Sequence, residues 1–85
     1  MTWVLRWKPT ALREFSRLGR DVQIRVRAKL EQTLDDPFRY FVQLRGNRHL
    51  FRLRIGDHRL VALLFVTDKV VEVRRIAHRS IIYDR

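Results

Sequence analysis

Apolar residues in the first half of the chain form one alternating segment and two stretches of helical spacing. Residues 2–7 alternate around Trp3, Leu5 and Trp7, which predicts a short strand. A first helix is predicted to begin at Pro9, which suits a first helical turn, and to end at Gly19. The residues expected on its buried face are Leu12, Phe15 and Leu18.

A second helix is predicted over the next fifteen or so positions, with Asp21 as its N-cap. It should end at Asp35-Asp36-Pro37, because the residue before a proline avoids the helical region. Its apolar residues recur every four positions, at Val22, Val26, Leu30 and Leu34. Two helices joined by so short a connection should form an antiparallel hairpin.

The period of the pattern changes to two from residue 42 onward, which predicts strands. Residues 51–55 alternate, Gly56-Asp57 is a two-residue turn signal, and residues 58–67 read as a central strand that is apolar on both faces. A third strand over residues 69–77 changes phase at Arg74-Arg75, which indicates a bulge. The predicted fold is α+β: an N-terminal strand, a helical hairpin, then an antiparallel β-meander with the helices on one face.

Length and composition limit the alternatives. The 85 residues, 46% of them hydrophobic, suit one folded domain over residues 1–85. The absence of cysteine excludes a disulfide scaffold, a cysteine zinc site and a cysteine nucleophile. The longest apolar run, Leu60–Val66, is too short to span a bilayer, and the N-terminus lacks a signal-peptide pattern, so we expect a cytoplasmic protein with no membrane partner.

The formal net charge of +10 adds the first functional indication. Only three of the 19 basic residues are lysines, and the others are arginines, whose planar donors suit phosphate. A GC-rich genome would also enrich arginine, but the net charge indicates an anionic partner under either explanation.

Strand parity predicts where part of this charge lies. Arg52 and Arg54 share one face of their strand, and the tight turn should bring Arg59 beside Arg54. Grouped guanidinium groups repel one another, and an anion bound between them would relieve the repulsion. The alternative is that these arginines are ordinary solvated positions on a half-exposed sheet.

The second half of the chain resembles the RelE/ParE superfamily of bacterial and archaeal toxins. The segments that carry the resemblance are Leu44-Arg45-Gly46, the hairpin from Phe51 to Val61, and Ile76-Ala77-His78-Arg79 followed by Tyr83. The predicted strand and helical hairpin of the first half also fit, so the resemblance covers nearly the whole chain.

The resemblance implies a toxin of a toxin–antitoxin pair. RelE-like members are metal-independent endoribonucleases that cut mRNA on the translating ribosome by attack of a ribose 2′-OH, leaving a 2′,3′-cyclic phosphate. ParE-like members instead inhibit DNA gyrase without catalysis, and an inactive relative would only bind its antitoxin. If the protein is RelE-like, the resemblance implies no cofactor or metal. It also implies three partners: an acidic antitoxin in a hetero-oligomer, mRNA and ribosomal RNA.

Carried over by position, the resemblance implies a site on the open sheet face. Its expected catalytic residues are Arg52, Arg54, Arg59, Arg79 and Tyr83. RelE enzymes carry lysines on the hairpin strand where this chain has arginines, which are poor bases. His78 is therefore a candidate proton acceptor, although its side chain should point to the face of the sheet opposite that of Arg79. Further candidates for RNA contact are Arg45, Arg48, Arg74 and Arg75.

The remaining charges receive simpler interpretations. The helix cations, Lys29 among them, are predicted to form solvated faces, with contact to ribosomal RNA as the functional alternative. Glu14 and Glu72 are interpreted as charges on a helix surface and across a strand pair.

Overall fold

The computed structural model describes residues 2–81 and confirms the predicted α+β class and order of elements. Tyr83 lies outside the described residues. The elements are β1 (Val4–Trp7), α1 (Pro9–Ser16), α2 (Arg20–Thr33), a 3₁₀ turn (Pro37–Arg39), β2 (Val42–Gln43), β3 (Leu50–Ile55), β4 (His58–Phe65) and β5 (Val70–His78).

Five strands form one sheet in the order β1-β5-β4-β3-β2. The meander β3-β4-β5 is antiparallel, as predicted, whereas β1 pairs in parallel with β5 and the two-residue β2 pairs with β3. After β1, the two helices carry the chain across one face of the sheet to β2 at the opposite edge. The strands β3, β4 and β5 then return towards β1, so β5 can pair with it. The other face, which we call the open face, carries the side chains considered below.

The predicted bulge is present in β5. Arg75 lies opposite Val61, but the next pair along is Val73 with Ala62, so Arg74 is the extra residue. An inserted residue changes the parity of the strand after it. For this reason Val73 and Ile76 can both be buried against the helices although three positions separate them.

The start of α2 differs from the prediction. Its N-cap is Gly19, and Asp21 lies in the first turn, where its carboxylate is 3.7 Å from the guanidinium of Arg25. A negative charge in a first turn is stabilised by the helix dipole, so Asp21 still favours a helix start here without capping it.

The buried face of α1 also differs in one position. Ala11 and Phe15 are buried, whereas Leu12 is 53% exposed. Both Ala11 and Leu12 are spaced correctly from Phe15 to share its face, so only the position of the sheet decides between them. The amide of Gln23 then joins the two helices by donating to the carbonyl oxygens of Phe15 and Leu18, at 3.0 and 3.1 Å.

The core lies between the helices and the sheet and includes aromatic residues from several elements. Trp3 and Phe15 are buried, and Trp7 and Phe51 pack against the core while partly exposed. A smaller apolar cluster lies on the open face, where Leu44 covers Val61. Between residues 2 and 81, the helices are all too short or too polar to cross a bilayer.

Candidate nucleic-acid interface

The register of the β3–β4 hairpin brings two of the predicted arginines together. Arg54 lies directly opposite Arg59, and Arg52 occupies the same face two residues earlier, opposite Val61. Directly opposed residues have Cβ atoms roughly 5 Å apart, so two guanidinium groups share this part of the open face. Arg54 is exposed, and Arg52 and Arg59 are half-buried.

Arg79 joins the group from the end of β5. Its backbone N–H donates to the carbonyl oxygen of Asp57 at 2.8 Å, which extends the ladder past the β3–β4 turn. Ala77 is the residue opposite Arg59. Arg79, two positions after Ala77, is therefore the diagonal neighbour of Arg59 on the same face, roughly 7–8 Å away. We call Arg52, Arg54, Arg59 and Arg79 the arginine cluster.

Within the part of the chain that the structure describes, little negative charge compensates Arg79. Its Nε atom is 4.0 Å from Asp57 Oδ1, and the side chains are 65% and 71% exposed. An ion pair this long and this exposed contributes little and leaves the guanidinium able to bind another anion.

His78 lies on the opposite face of the sheet from the arginine cluster. It pairs across strands with His58, next to the buried Ile55, and the two imidazole rings meet edge to face with centroids 5.5 Å apart. The Nδ1 atom of His78 is 2.9 Å from the hydroxyl of Ser80. The opposed parity inferred from the sequence is therefore present in the structure.

The structure adds a cation that sequence reasoning assigned to solvent. Lys29 of α2 lies over the ring of Tyr40 at 5.1 Å and lines an open groove together with Arg52 and Arg54. The signal was present in the helical pattern, because Lys29 is three residues after the buried Val26.

The four additional RNA-contact candidates lie in different surroundings. Arg45 and Arg48 are exposed on the loop between β2 and β3, and Arg74 is on the open face with Nη1 3.6 Å from a Glu72 carboxylate oxygen. Arg75 instead reaches α1, where its Nη2 is 2.8 Å from Glu14 Oε2. This hydrogen-bonded carboxylate raises the pKa of Arg75, first through the hydrogen bond and then through its charge.

The site is suited to binding anions by charge. Within the described part of the chain, no three histidine or acidic side chains are grouped as a metal ion would require. Guanidinium groups held on neighbouring strands can bind the non-bridging oxygens of a phosphodiester through paired hydrogen bonds.

Comparison with known proteins identifies the family. Residues 5–83 match the family model described as the ParE toxin of the type II toxin–antitoxin system parDE. The chain belongs to this toxin family, within the RelE/ParE superfamily. A comparison with curated proteins found no match.

Solved structures of RelE toxins are similar to this chain. An E. coli RelE mutant in the free state is 28% identical, with a TM-score of 0.77, over 92% of this chain and 84% of that one. The toxin in the intact E. coli RelBE toxin–antitoxin complex is also 28% identical, with a TM-score of 0.76, over 89% and 95%.

A third similar structure supports the fold alone. The RelBE2 toxin–antitoxin complex of Mycobacterium tuberculosis contains a chain that is 22% identical, with a TM-score of 0.82, over 93% of this chain and all of that one. Because its family is shown by the match over residues 5–83, the protein is a toxin of a toxin–antitoxin pair, and its structure is like that of RelE.

Proposed function

We propose that this toxin is a metal-independent endoribonuclease that cleaves mRNA on the translating ribosome, in the cytoplasm. The observation that carries the proposal is the grouping of Arg54 opposite Arg59, with Arg52 and Arg79 on the same face. A bound phosphodiester would place a negative charge among these like charges and lower their mutual repulsion. The similarity to RelE structures supports this choice of reaction.

The proposed step is attack of a ribose 2′-oxygen on the adjacent phosphorus. A bond forms between the 2′-oxygen and phosphorus, the bond to the 5′-oxygen breaks, and the products are a 2′,3′-cyclic phosphate and a 5′-hydroxyl. The 2′-hydroxyl loses a proton and the leaving 5′-oxygen gains one. Negative charge grows on the non-bridging oxygens, where preorganised guanidinium groups stabilise it most.

The arginine cluster acts in this proposal by charge rather than by taking protons, because arginine stays protonated in proteins. His78, the candidate acceptor, packs against His58 on the other face, so its ring has no direct path to a phosphate held by the cluster. A site with this composition depends on the ribosome to align the 2′-oxygen for attack, and orientation alone supplies a large part of such a barrier.

The proposal predicts that Arg79→Ala lowers ribosome-dependent mRNA cleavage by about 10²–10³-fold, in line with the loss of one transition-state donor. Among residues 2–81, the ion-pair contact of the exposed Arg79 side chain is the long one to Asp57, so the variant should keep the wild-type thermal midpoint. Arg17→Ala, an exposed arginine after α1, is the matched control and should cleave normally. Undiminished cleavage by the folded Arg79→Ala protein would overturn the site assignment.

Inhibition of DNA gyrase is the second candidate function, because the matching family model describes the ParE toxin. Among the described residues, the arginine cluster contains no base, which also suits a non-enzymatic inhibitor. A gyrase supercoiling assay run beside the ribosome-dependent cleavage assay separates the two. Inhibited supercoiling with intact mRNA would favour the gyrase function, and cleaved mRNA with normal supercoiling would favour the nuclease.

The partner proposed for the free toxin is an acidic antitoxin segment in a hetero-oligomer. The net charge of +10 favours a negatively charged chain, and charge complementarity speeds association. Two of the similar structures are toxin–antitoxin complexes, with RelB-type antitoxins.

A further inference from the structure

A second feature of the open face lies at the opposite end of β4 from the arginine cluster. Phe65 is six positions after Arg59, so the two ends are about 20 Å apart along the strand. Here the sheet and the β2–β3 loop enclose a cleft of about 420 Å³. The side chains that define this Phe65 cleft are Asn47, His49, Leu50, Leu63, Phe65 and Arg74.

The chemistry of the Phe65 cleft is divided between floor and rim. Leu50 and Leu63 lie opposite each other on β3 and β4 and form an apolar floor, which continues into the ring of Phe65. An amide, an imidazole and a guanidinium surround it, from Asn47, His49 and Arg74. A flat apolar surface bordered by hydrogen-bonding groups suits a planar heteroaromatic ring that carries donors and acceptors on its edge.

Charged side chains lie next to Phe65. Glu72 is only 7% exposed, yet its carboxylate is 2.9 Å from Nη2 of Arg6 and 3.6 Å from Nη1 of Arg74. Held in this way, the guanidinium of Arg6 lies over the Phe65 ring, 5.6 Å from its centroid. The ring remains 36% exposed and lines the cleft, so it offers an aromatic surface to a ligand.

We infer that the Phe65 cleft binds an unpaired nucleobase of the RNA strand whose phosphates lie along the open face, an inference that rests on the proposed function. Aromatic side chains beside a positively charged surface are the usual means of binding single-stranded RNA, because every base offers a flat face for stacking. Two arginines share the single carboxylate of Glu72, and the loop adds Arg45 and Arg48, so the surroundings attract the phosphates that flank the base.

The test uses a short single-stranded RNA with one 2-aminopurine, whose fluorescence falls when it stacks. The wild-type protein should quench it, and Phe65→Leu, which keeps an apolar side chain, should bind about 5- to 100-fold more weakly with the quenching lost. Phe38→Leu is the matched control, since Phe38 is 48% exposed and packs against Trp3, away from the open face. It should behave as wild type.

A second RNA, abasic at the labelled position, isolates stacking from charge. Wild type and Phe65→Leu should bind it equally, because the phosphates are unchanged. Equal affinity and equal quenching of the 2-aminopurine RNA by both proteins would overturn the inference. Ribosome-dependent cleavage is scored separately: binding through Phe65 without cleavage would reject the proposed reaction alone, and cleavage with Phe65-independent binding would reject the cleft alone.

Discussion

At the scale of single residues, two carboxylates explain how a strongly basic chain folds around its own charge. Glu72 is buried within the open face and holds Arg6 and Arg74. Glu14 joins α1 to β5, because Oε1 accepts the backbone N–H of Ile76 and Oε2 accepts Nε of Arg75, each at 2.9 Å. Both carboxylates therefore fix elements that are distant in sequence.

Glu14→Ala should lower the free energy of unfolding by about 1–2 kcal/mol. Most of this comes from the partly buried N–H of Ile76, which loses its acceptor, because a half-exposed ion pair adds little. Urea denaturation measures the change, with the exposed Glu31→Ala as the control. Equal stability of the two variants would contradict this role for Glu14.

The loss of unfolding free energy in Glu14→Ala should be the same throughout the neutral pH range. Glu14 raises the pKa of Arg75, so the folded state holds that proton more tightly than the unfolded state does. The stabilisation of the folded state by the Glu14–Arg75 pair is therefore fully present below the ordinary arginine pKa, and it disappears only at pH values above that pKa. Arg75 thus contributes no pH dependence near neutrality.

At the scale of elements, the β3–β4 hairpin determines the arginine cluster. Gly56 has a φ of +58°, and the loop between the strands is only Gly56-Asp57. A tight loop with a left-handed first residue fixes the register, and the register places Arg54 opposite Arg59. Shifting the pairing by one residue would turn one of these arginines into the core.

Gly56→Ala should cost about 1–2 kcal/mol of stability, because a side chain is strained at positive φ. An added Cβ would lie 3.5 Å from Nη1 of Arg25, an ordinary contact, so the cost is conformational rather than steric. Gly56→Asn should cost less, since asparagine tolerates this backbone region. Equal unfolding midpoints for wild type and Gly56→Ala in urea would argue against the strain.

At the scale of the whole molecule, the proposed function divides the surface by face. The helices cover one side of the sheet, and the open face carries the arginine cluster at one end and the Phe65 cleft at the other. Between them, the described residues place a small apolar cluster around Leu44 and Val61. An extended RNA strand could therefore contact both ends of one surface.

Salt dependence tests how many phosphates that surface binds. Each phosphate contact to single-stranded RNA contributes roughly −0.7 to the slope of log affinity against log salt. Four contacts, one for each arginine of the cluster, predict a slope of about −3, and Arg54→Ala should reduce it to about −2. Arg17→Ala on the helical hairpin should leave the slope unchanged, and a wild-type slope near zero would exclude phosphate binding.

The sequence by itself determined the features that depend on neighbouring residues along the chain. Strand parity predicted the shared face of Arg52 and Arg54 and the opposed face of His78, and Gly56-Asp57 predicted the tight turn. Such features follow from backbone geometry and local sterics, which a short stretch of sequence fully contains.

Only the tertiary structure decided which side chains from separate elements meet. It exposed Leu12 and buried Ala11, brought Lys29 and Arg52 to one groove, and placed Glu72 between Arg6 and Arg74. Local spacing allowed more than one arrangement in each case. Long-range packing selected one of them, because the free energy of burying a side chain depends on what the distant parts of the chain place against it.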